Sequence, residues 1–272
     1  MPSRKRPAAR RRSRRRAPAV RGSLAPASLA PRLARLPPLG WALVVLTLLV
    51  ALNAVVQVAR KPTELLALVA APEPLPPAQT WDRYGDLCRE HATSQVPPEV
   101  LAALVQAESS GDALARPPWR WQWSWDPLDW YGPPSSAVGI LQITDGTFEE
   151  GKRFCVHDHA VARDGAWYDP SSCWFNALYL RTSPGDAIEM TSARMSVILA
   201  DLCARARRPP TAAERIALVA VIHLCGRERG VAFVARGWRL APGERCGDQD
   251  ARVYVQRVQA LAALFGRMAR QP

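Results

Sequence analysis

The sequence predicts a mainly α-helical domain preceded by a single transmembrane helix, and two observations carry this prediction. An apolar run from Leu39 to Ala59 contains no charged residue, and about 20 such residues cross the hydrocarbon core of a bilayer. Beyond Trp81, apolar residues recur in several stretches at the three- and four-residue spacing of amphipathic helices. Together the two patterns predict a helical domain held at a membrane.

The positive charge of the chain lies at its N-terminus. Residues 1–37 contain twelve of the 36 basic residues and no acidic residue, so residues 38–272 hold 24 basic and 24 acidic residues. The net charge of +12 therefore belongs to a tail with the composition of disorder. A nucleic-acid-binding domain would need basic residues interleaved with aromatic ones, and Trp119-Arg120-Trp121 is only a fragment of that pattern. We therefore expect no nucleic-acid partner.

Residues 38–59 are predicted to form a membrane anchor. Only Thr47, Asn53 and Gln57 interrupt the apolar run with polar side chains. A cleaved secretory signal, with a shorter apolar stretch of roughly 7–15 residues, and a buried core helix remain the alternatives. Because segments rich in Lys and Arg stay in the cytoplasm, we expect a single-pass inner-membrane protein with a cytoplasmic N-terminus and a periplasmic domain.

Residues 60–79 are predicted to be a proline-rich tether, and residues 80–272 to be the folded domain. Proline disfavours helix and stiffens a linker, and four prolines lie in the tether: Pro72, Pro74, Pro76 and Pro77.

All six cysteines lie on the exported side of the anchor. An even number of cysteines in an exported domain indicates disulfide bonds, and the spacing leaves the pairing open. The cluster of Cys155, His157 and His159 leaves a metal site as the competing interpretation. We expect no metal and no organic cofactor.

Four helices are predicted in the domain. The first begins at Pro97 or Pro98 and ends before Gly111. The second runs from about Asp186 to Arg205. The third begins at Thr211, because Thr211-Ala-Ala-Glu214 has the form of a capping box. The fourth begins near Asp250 and carries its apolar residues on one face.

Glu108 is the candidate catalytic residue. It shares one helical stripe with Val100 and Leu104 and lies in the last turn before Gly111. Apolar neighbours and the negative end of a helix dipole both favour the neutral form of a carboxyl group, and cleavage of a glycosidic bond requires such a proton donor. Taken alone, the position fits a surface glutamate in a frayed last turn better, so the surrounding motifs decide.

Three motifs in order resemble the soluble lytic transglycosylase family, which has a lysozyme-like fold. Glu108-Ser109 is similar to the Glu-Ser pair that ends a helix in this family. Gly139-Ile-Leu-Gln142-Ile143 is similar to its Gly-Leu-Met-Gln-Ile segment, and Asp250-Ala-Arg-Val-Tyr254-Val255 to its Glu-Thr-Arg-x-Tyr-Val segment. The resemblance covers residues 96–264 and implies a lysozyme-like, membrane-anchored lytic transglycosylase whose partner is the glycan strand of peptidoglycan.

The resemblance implies roles for particular residues. Glu108 would protonate the leaving glycosidic oxygen and then take the proton of the muramoyl 6-hydroxyl, which closes a 1,6-anhydro ring. Gln142 and Tyr254 would orient the N-acetyl group and the Glu108 proton. Ser109 and Ser136 are further candidate substrate contacts, and the gap between Glu108 and Gly139 is longer than in the family.

The chain departs from the family in the next-to-last helix. The family has Ala-Tyr-Asn-Ala-Gly there, and this chain has Val221-Ile-His223-Leu-Cys-Gly226. His223 is therefore either a substitute for the polar residue and a candidate substrate contact, or an ordinary histidine at a helix end.

A tryptophan-rich stretch fills the longer gap. The alternation Trp119-Arg-Trp121-Gln-Trp123-Ser-Trp125 suits a short strand with one aromatic face. Trp121 and Trp123 are candidate sugar-stacking residues, and a small apolar cap on the core is the alternative.

Three functions remain open. The first is the transglycosylase. The second is a hydrolytic muramidase, which needs a second carboxylate such as Asp126 or Asp129, and the third is a non-catalytic peptidoglycan-binding module. The anchor favours a fixed position at the inner membrane. The candidate tasks there are wall turnover and local opening of the wall for a secretion or conjugation machine.

Overall fold

The computed structural model describes residues 37–68 and 71–271 of the chain. The basic tail predicted for residues 1–37 lies outside these residues, apart from Pro37. The chain divides into two units, Met1–Leu49 and Val50–Pro272. The boundary falls within helix α1, which spans Pro38–Arg60.

Helix α1 has the length and composition of a membrane span. Its 23 residues have a mean hydropathy of 2.4 over the most apolar window, and none of that window is buried. In the first unit, Leu39 and Leu48 expose 72% and 63% of their surface. A helix of this length extends about 34 Å, which exceeds the roughly 30 Å of a hydrocarbon core. The helix is therefore long and apolar enough to cross a membrane.

The second unit is mainly helical, as the sequence predicts. Its helices after α1 are α2 (Pro77–Glu90), α3 (Pro98–Ser109), α4 (Asp145–Gly151), α5 (Pro184–Ala204), α6 (Ala212–Cys225), α7 (Arg227–Ala235) and α8 (Ala251–Met268). Short 3-10 helices span Pro62–Leu68, Pro127–Asp129 and Trp174–Leu178.

The strands form three small antiparallel hairpins. They are β1 (Arg120–Trp121) with β2 (Tyr131–Gly132), β3 (Phe154–His157) with β4 (Ala160–Arg163), and β5 (Arg245–Cys246) with β6 (Gln249–Asp250). The tryptophan alternation is thus a strand only at Arg120 and Trp121.

Helix α3 lies at the centre of the core. It packs against α2 and α8, and α6 packs against α8 in turn. Six consecutive residues of α3, from Val100 to Val105, are almost fully buried. A helix that is apolar on all sides is stable only when other elements surround it, and this position fixes the end of α3 where Glu108 lies.

The four predicted helices form close to their expected ends. Helix α6 begins after the predicted capping box, because the Thr211 hydroxyl accepts from the Glu214 N–H and the Glu214 carboxylate accepts from the Thr211 N–H. Helix α3 begins at Pro98 and ends with Ser110 and Gly111 in the left-handed region.

The segment expected to be a tether makes several contacts with the domain. Lys61 and Glu64 are buried, and Leu75 belongs to the hydrophobic core. The Leu75 N–H donates to the Ser110 carbonyl at 2.6 Å, and the Gln106 side chain donates to the Leu75 carbonyl at 3.1 Å. The described part of residues 60–79 is thereby tied to the end of α3.

Two disulfide bonds form, Cys155–Cys173 and Cys225–Cys246. Cys88 and Cys203 are the other two of the six cysteines, all of which lie in the described part of the chain, and they carry free thiols. The expectation of disulfide bonds is confirmed. Since Cys155 is bonded to Cys173, its thiolate is not available to hold a metal together with His157 and His159.

Candidate active site

Glu108 and Tyr254 meet where α3 packs against α8. Glu108 lies in the last turn of α3, and Tyr254 in the first turn of α8. The Asp250 carboxylate caps α8 by accepting from the N–H groups of Arg252 and Val253, at 2.9 and 3.1 Å. An N-cap fixes the first helical turn, so Asp250 sets the position of the tyrosine.

The Tyr254 hydroxyl donates a hydrogen bond to Glu108 Oε1. Burial raises the pKa of Tyr254 well above its ordinary value, and the negative charge and hydrogen bond of Glu108 raise it further. Tyr254 therefore keeps its proton and acts as the donor of this pair.

His223 approaches the same carboxylate oxygen from the last turn of α6. Its Nε2 lies 3.5 Å from Glu108 Oε1, and both side chains are about nine-tenths buried. Burial lowers the pKa of His223, while the charge of Glu108 opposes this shift and that of Arg194 adds to it. The imidazole is therefore neutral near pH 7. Both contacts use Oε1, which leaves Glu108 Oε2 for a substrate.

The segment from Gly139 to Ile143 is fastened to the end of α3. The Ser109 hydroxyl donates to the carbonyls of Ile140 and Val105, at 2.8 and 3.1 Å. Gly139 has φ 83°, and a Cβ there would lie 2.1 Å from the Arg181 carbonyl oxygen. Only glycine fits such a position, so this residue allows the segment to lie beside Glu108.

Gln142 is held with its amide nitrogen toward the backbone. The backbone of Gln142 is in the left-handed region, with φ 46°. Its side-chain nitrogen donates to the carbonyls of Ala115 and Gly139, each at 2.9 Å. These two hydrogen bonds occupy the nitrogen and leave the amide oxygen as an acceptor for a ligand.

A cavity of about 1270 Å³ opens beside Glu108. Four of the predicted site residues line it: Glu108, Ser109, Gln142 and His223. Tyr254 lies behind them, 4% exposed, and reaches the site through its hydrogen bond. The structure therefore brings five of the predicted residues together around one carboxylate.

The other predicted residues lie elsewhere. Trp121 and Trp123 line a separate surface cavity of about 320 Å³, together with Gln122 and Trp130. Ser136 does not line the large cavity. Its hydroxyl accepts from the Asp145 N–H at 3.0 Å, whereas the preceding residue, Ser135, is part of the cavity wall.

The candidate second carboxylates of a muramidase also lie outside the large cavity. Asp126 and Asp129 both form ion pairs with Arg60 and are substantially exposed. Among the described residues, the carboxylates that share the cavity with Glu108 are Glu64 and Asp112. Glu64 accepts from the Trp119 indole at 2.7 Å and lies 3.0 Å from the Lys61 ammonium.

The basic residues on the wall of this cavity were not among the predicted site residues. Four arginines line it: Arg116, Arg229, Arg245 and Arg257. Of these four, only Arg257 could have been selected from the sequence, because it lies one helical turn after Tyr254 on α8. The Cys225–Cys246 disulfide also lines the cavity, and it joins the end of α6 to the loop that precedes α8.

Within the described residues, no cluster of three or more His, Cys, Asp and Glu side chains has the arrangement of a metal site. Comparison with protein-family models and with curated proteins gives no match for this chain. The geometry around Glu108 is therefore the basis for assigning a function.

Proposed function

We propose that residues 80–272 form a lysozyme-like lytic transglycosylase domain. It cleaves the MurNAc–GlcNAc β-1,4 bond of peptidoglycan and forms 1,6-anhydromuramoyl ends. One observation carries the proposal. The three motifs of the resemblance are far apart in the sequence, yet Glu108, the Gly139–Ile143 segment and Tyr254 come together at the end of α3, beside one cavity.

The chemistry uses Glu108 twice. In the first step Glu108 Oε2 gives its proton to the glycosidic oxygen, and the bond to the muramoyl C1 breaks. In the second step the resulting carboxylate takes the proton of the muramoyl 6-hydroxyl, whose oxygen bonds to C1. The first proton leaves on the released sugar and the proton of the 6-hydroxyl restores Glu108, so the cycle requires neither water nor a second carboxylate. This agrees with the positions of Asp126 and Asp129 outside the cavity.

Tyr254 and His223 act on the carboxylate rather than on the sugar. The Tyr254 hydrogen bond stabilises the negative charge that appears on Glu108 after the first step. His223 is neutral, so it places no fixed positive charge beside Glu108. Both hold Oε1 and thereby orient Oε2 toward the cavity, which is a positioning role.

The cavity suits a polymeric, anionic sugar. Its volume exceeds that of most pockets for small ligands, which is about 300–1,000 Å³. The arginines on its wall favour carboxylates, because guanidinium groups bind them in a planar, paired geometry. Muramoyl residues carry such carboxylates on the lactyl group or on the peptide stem.

We also propose that the protein spans the inner membrane once. Helix α1 would be the anchor, the N-terminus would lie in the cytoplasm, and the domain would face the peptidoglycan from the periplasm. A fixed position at the membrane suits the local opening of the wall for a secretion or conjugation machine better than general turnover.

The product of the reaction tests this function. Purified protein is incubated with murein sacculi, and the released muropeptides are identified by mass spectrometry. We expect 1,6-anhydromuramoyl ends, which lack one water relative to reducing ends. Reducing ends would instead assign a muramidase, and binding without any product would assign a non-catalytic module.

A further inference from the structure

The tryptophan hairpin is attached to the end of helix α1. We define this hairpin as residues 120–132, from β1 to β2. Asn53 Nδ2 donates to the Leu128 carbonyl at 2.7 Å, and Gln57 Nε2 donates to the same oxygen. One turn later, Arg60 forms ion pairs with Asp126 and Asp129.

These contacts explain the polar residues in the last turns of the apolar run. Asn53, Gln57 and Arg60 lie four and three residues apart and so share one helix face. Gly132 allows the close approach, because a Cβ there would lie 2.8 Å from the Gln57 side-chain carbon Cδ. The same helix face therefore binds the hairpin along about 10 Å of helix length.

The free side of the hairpin is aromatic and exposed. Trp121, Trp123 and Trp125 expose 75%, 87% and 95% of their surface. The hairpin is nevertheless ordered by internal contacts. The Trp130 indole donates to the Ser124 carbonyl at 2.8 Å, and the Trp121 and Tyr131 rings lie 5.0 Å apart. Three exposed indoles thus project from a hairpin that is held together by internal contacts.

Exposed tryptophans at this depth match the boundary of a bilayer. The last turns of a 23-residue span lie where the hydrocarbon meets the headgroups, and the hairpin lies alongside these turns. Tryptophan is enriched at this boundary, because its ring is apolar and its N–H is polar. In water, by contrast, an exposed indole gains no free energy from burial of its apolar ring.

We propose that the hairpin is a second membrane contact, in which Trp121, Trp123 and Trp125 insert into the interface of the leaflet from which α1 emerges. The proposal rests on the membrane anchor described under the proposed function. Sugar stacking is the competing use of these side chains. Trp121, Trp123 and Trp125 do not line the Glu108 cavity, whereas the hairpin that carries them is bonded to the last turns of α1, which makes the membrane the better match.

Quenching by brominated lipid tests the proposal. The full chain is reconstituted in vesicles of phosphatidylcholine and phosphatidylglycerol whose acyl chains carry bromine near the glycerol end. Bromine quenches only tryptophans that reach the lipid. A Trp41→Phe background removes the signal of the span itself. In this background we expect the triple change of Trp121, Trp123 and Trp125 to Phe to remove more than half of the remaining quenching.

Two further variants make the result specific. Trp125→Phe alone changes the most exposed of the three side chains and should remove part of the quenching without any effect on folding. Trp167→Phe is the matched control, because this residue is 78% exposed on another segment. Trp167→Phe should leave unchanged the loss of quenching that the triple variant of the hairpin causes.

The outcomes separate this proposal from the others. If Trp41→Phe reduces quenching and the triple variant reduces it no further, the hairpin proposal is wrong and the anchor stands. If Trp41→Phe also has no effect, the anchor is wrong and the hairpin proposal falls with it. If chitooligosaccharide changes the hairpin emission and brominated lipid does not, the hairpin binds sugar. The products released from murein test the enzymatic function independently.

Discussion

The Tyr254 hydroxyl donates a hydrogen bond to Glu108, a residue 146 positions away in the sequence. Two helix ends form this pair: the C-terminal turn of α3 and the capped N-terminal turn of α8. A helix C-terminus carries partial negative charge and a helix N-terminus partial positive charge. The carboxylate therefore lies between an unfavourable dipole of its own helix and a favourable one of its partner.

Replacement of Glu108 by Gln should abolish murein cleavage while the protein still folds and binds glycan. The amide keeps the size of the side chain but has no proton to transfer, and general acid–base steps contribute about 10²–10⁴-fold. Release of soluble muropeptides measures the loss. Glu149→Gln is the matched control, because that carboxylate is exposed and does not line the cavity. Substantial activity of the Glu108 variant would exclude it as the acid.

Replacement of Tyr254 by Phe should lower kcat by about 10- to 100-fold, the value of one hydrogen bond to a charged group. KM should change little, since the hydroxyl touches the carboxylate and not the substrate. The ring stays in the core, so thermal unfolding should change only slightly. Tyr168→Phe, at an exposed position, should leave kcat unchanged. A variant that raises KM alone would place Tyr254 in substrate binding instead.

His223 should make the protein less stable in mild acid. Because burial lowers its pKa below the ordinary 6.5, the unfolded chain takes up this proton at a higher pH than the folded one. Its contribution to stability is therefore present above pH 6.5 and is lost as the pH falls toward the lowered value. Urea unfolding at several pH values from 7.5 to 5 measures this loss of stability. The interval extends about one pH unit or more to each side of the ordinary histidine pKa.

The His223→Gln variant should show a shallower decrease in the free energy of unfolding with falling pH. An identical slope in the His223 variant would mean that the folded and unfolded chains bind this proton equally well.

The two disulfides should differ in their effect on catalysis. Their loops are similar in length, with separations of 18 and 21 residues, so removal of either by Cys→Ser pairs should cost about 3 kcal/mol of stability. Only Cys225–Cys246 lines the cavity. Its loss should lower murein cleavage at a temperature where both variants remain folded, and loss of Cys155–Cys173 should not. Thiol titration of the denatured, unreduced protein should find two thiols.

The membrane orientation should be visible with a reporter that is active only in the periplasm. A fusion after Pro272 should be active, because the basic residues before α1 keep the N-terminus in the cytoplasm. The same reporter fused after Pro37, ahead of the span, should be inactive. The reverse result would place the domain in the cytoplasm, away from its proposed substrate.

Helix ends were predictable where a local signal fixes them. The capping box at Thr211 and the cap at Asp250 each require only neighbouring residues. Helix α2 was not predicted, because the prolines before it indicated a tether. Pro77 in fact occupies the first turn of α2, where a missing N–H costs nothing. The β3–β4 hairpin was missed because Asp158 and His159, both with positive φ, form its turn in place of the usual Asn-Gly.

The candidate site was predictable only in part for a similar reason. Glu108, Gln142 and Tyr254 lie in short motifs that a sequence shows directly. The arginines of the cavity wall and the attachment of residues 120–132 to helix α1 depend on contacts between distant segments. Asn53 and Gln57 marked that attachment as breaks in the apolar run, but their partner, the Leu128 carbonyl, is a backbone group that any residue supplies.

The buried ion pair of Lys61 and Glu64 would set the working distance of the proposed transglycosylase. A free segment over residues 60–79 would extend to about 70 Å and let the domain reach glycan strands throughout that radius. Glu64 instead lines the cavity only four residues after the end of helix α1. For a chain anchored by that helix, the segment between the membrane and the cavity is a few residues long rather than twenty. Under the proposed function, strands farther from the membrane would escape cleavage, and wall damage would be confined to the layer nearest the anchor.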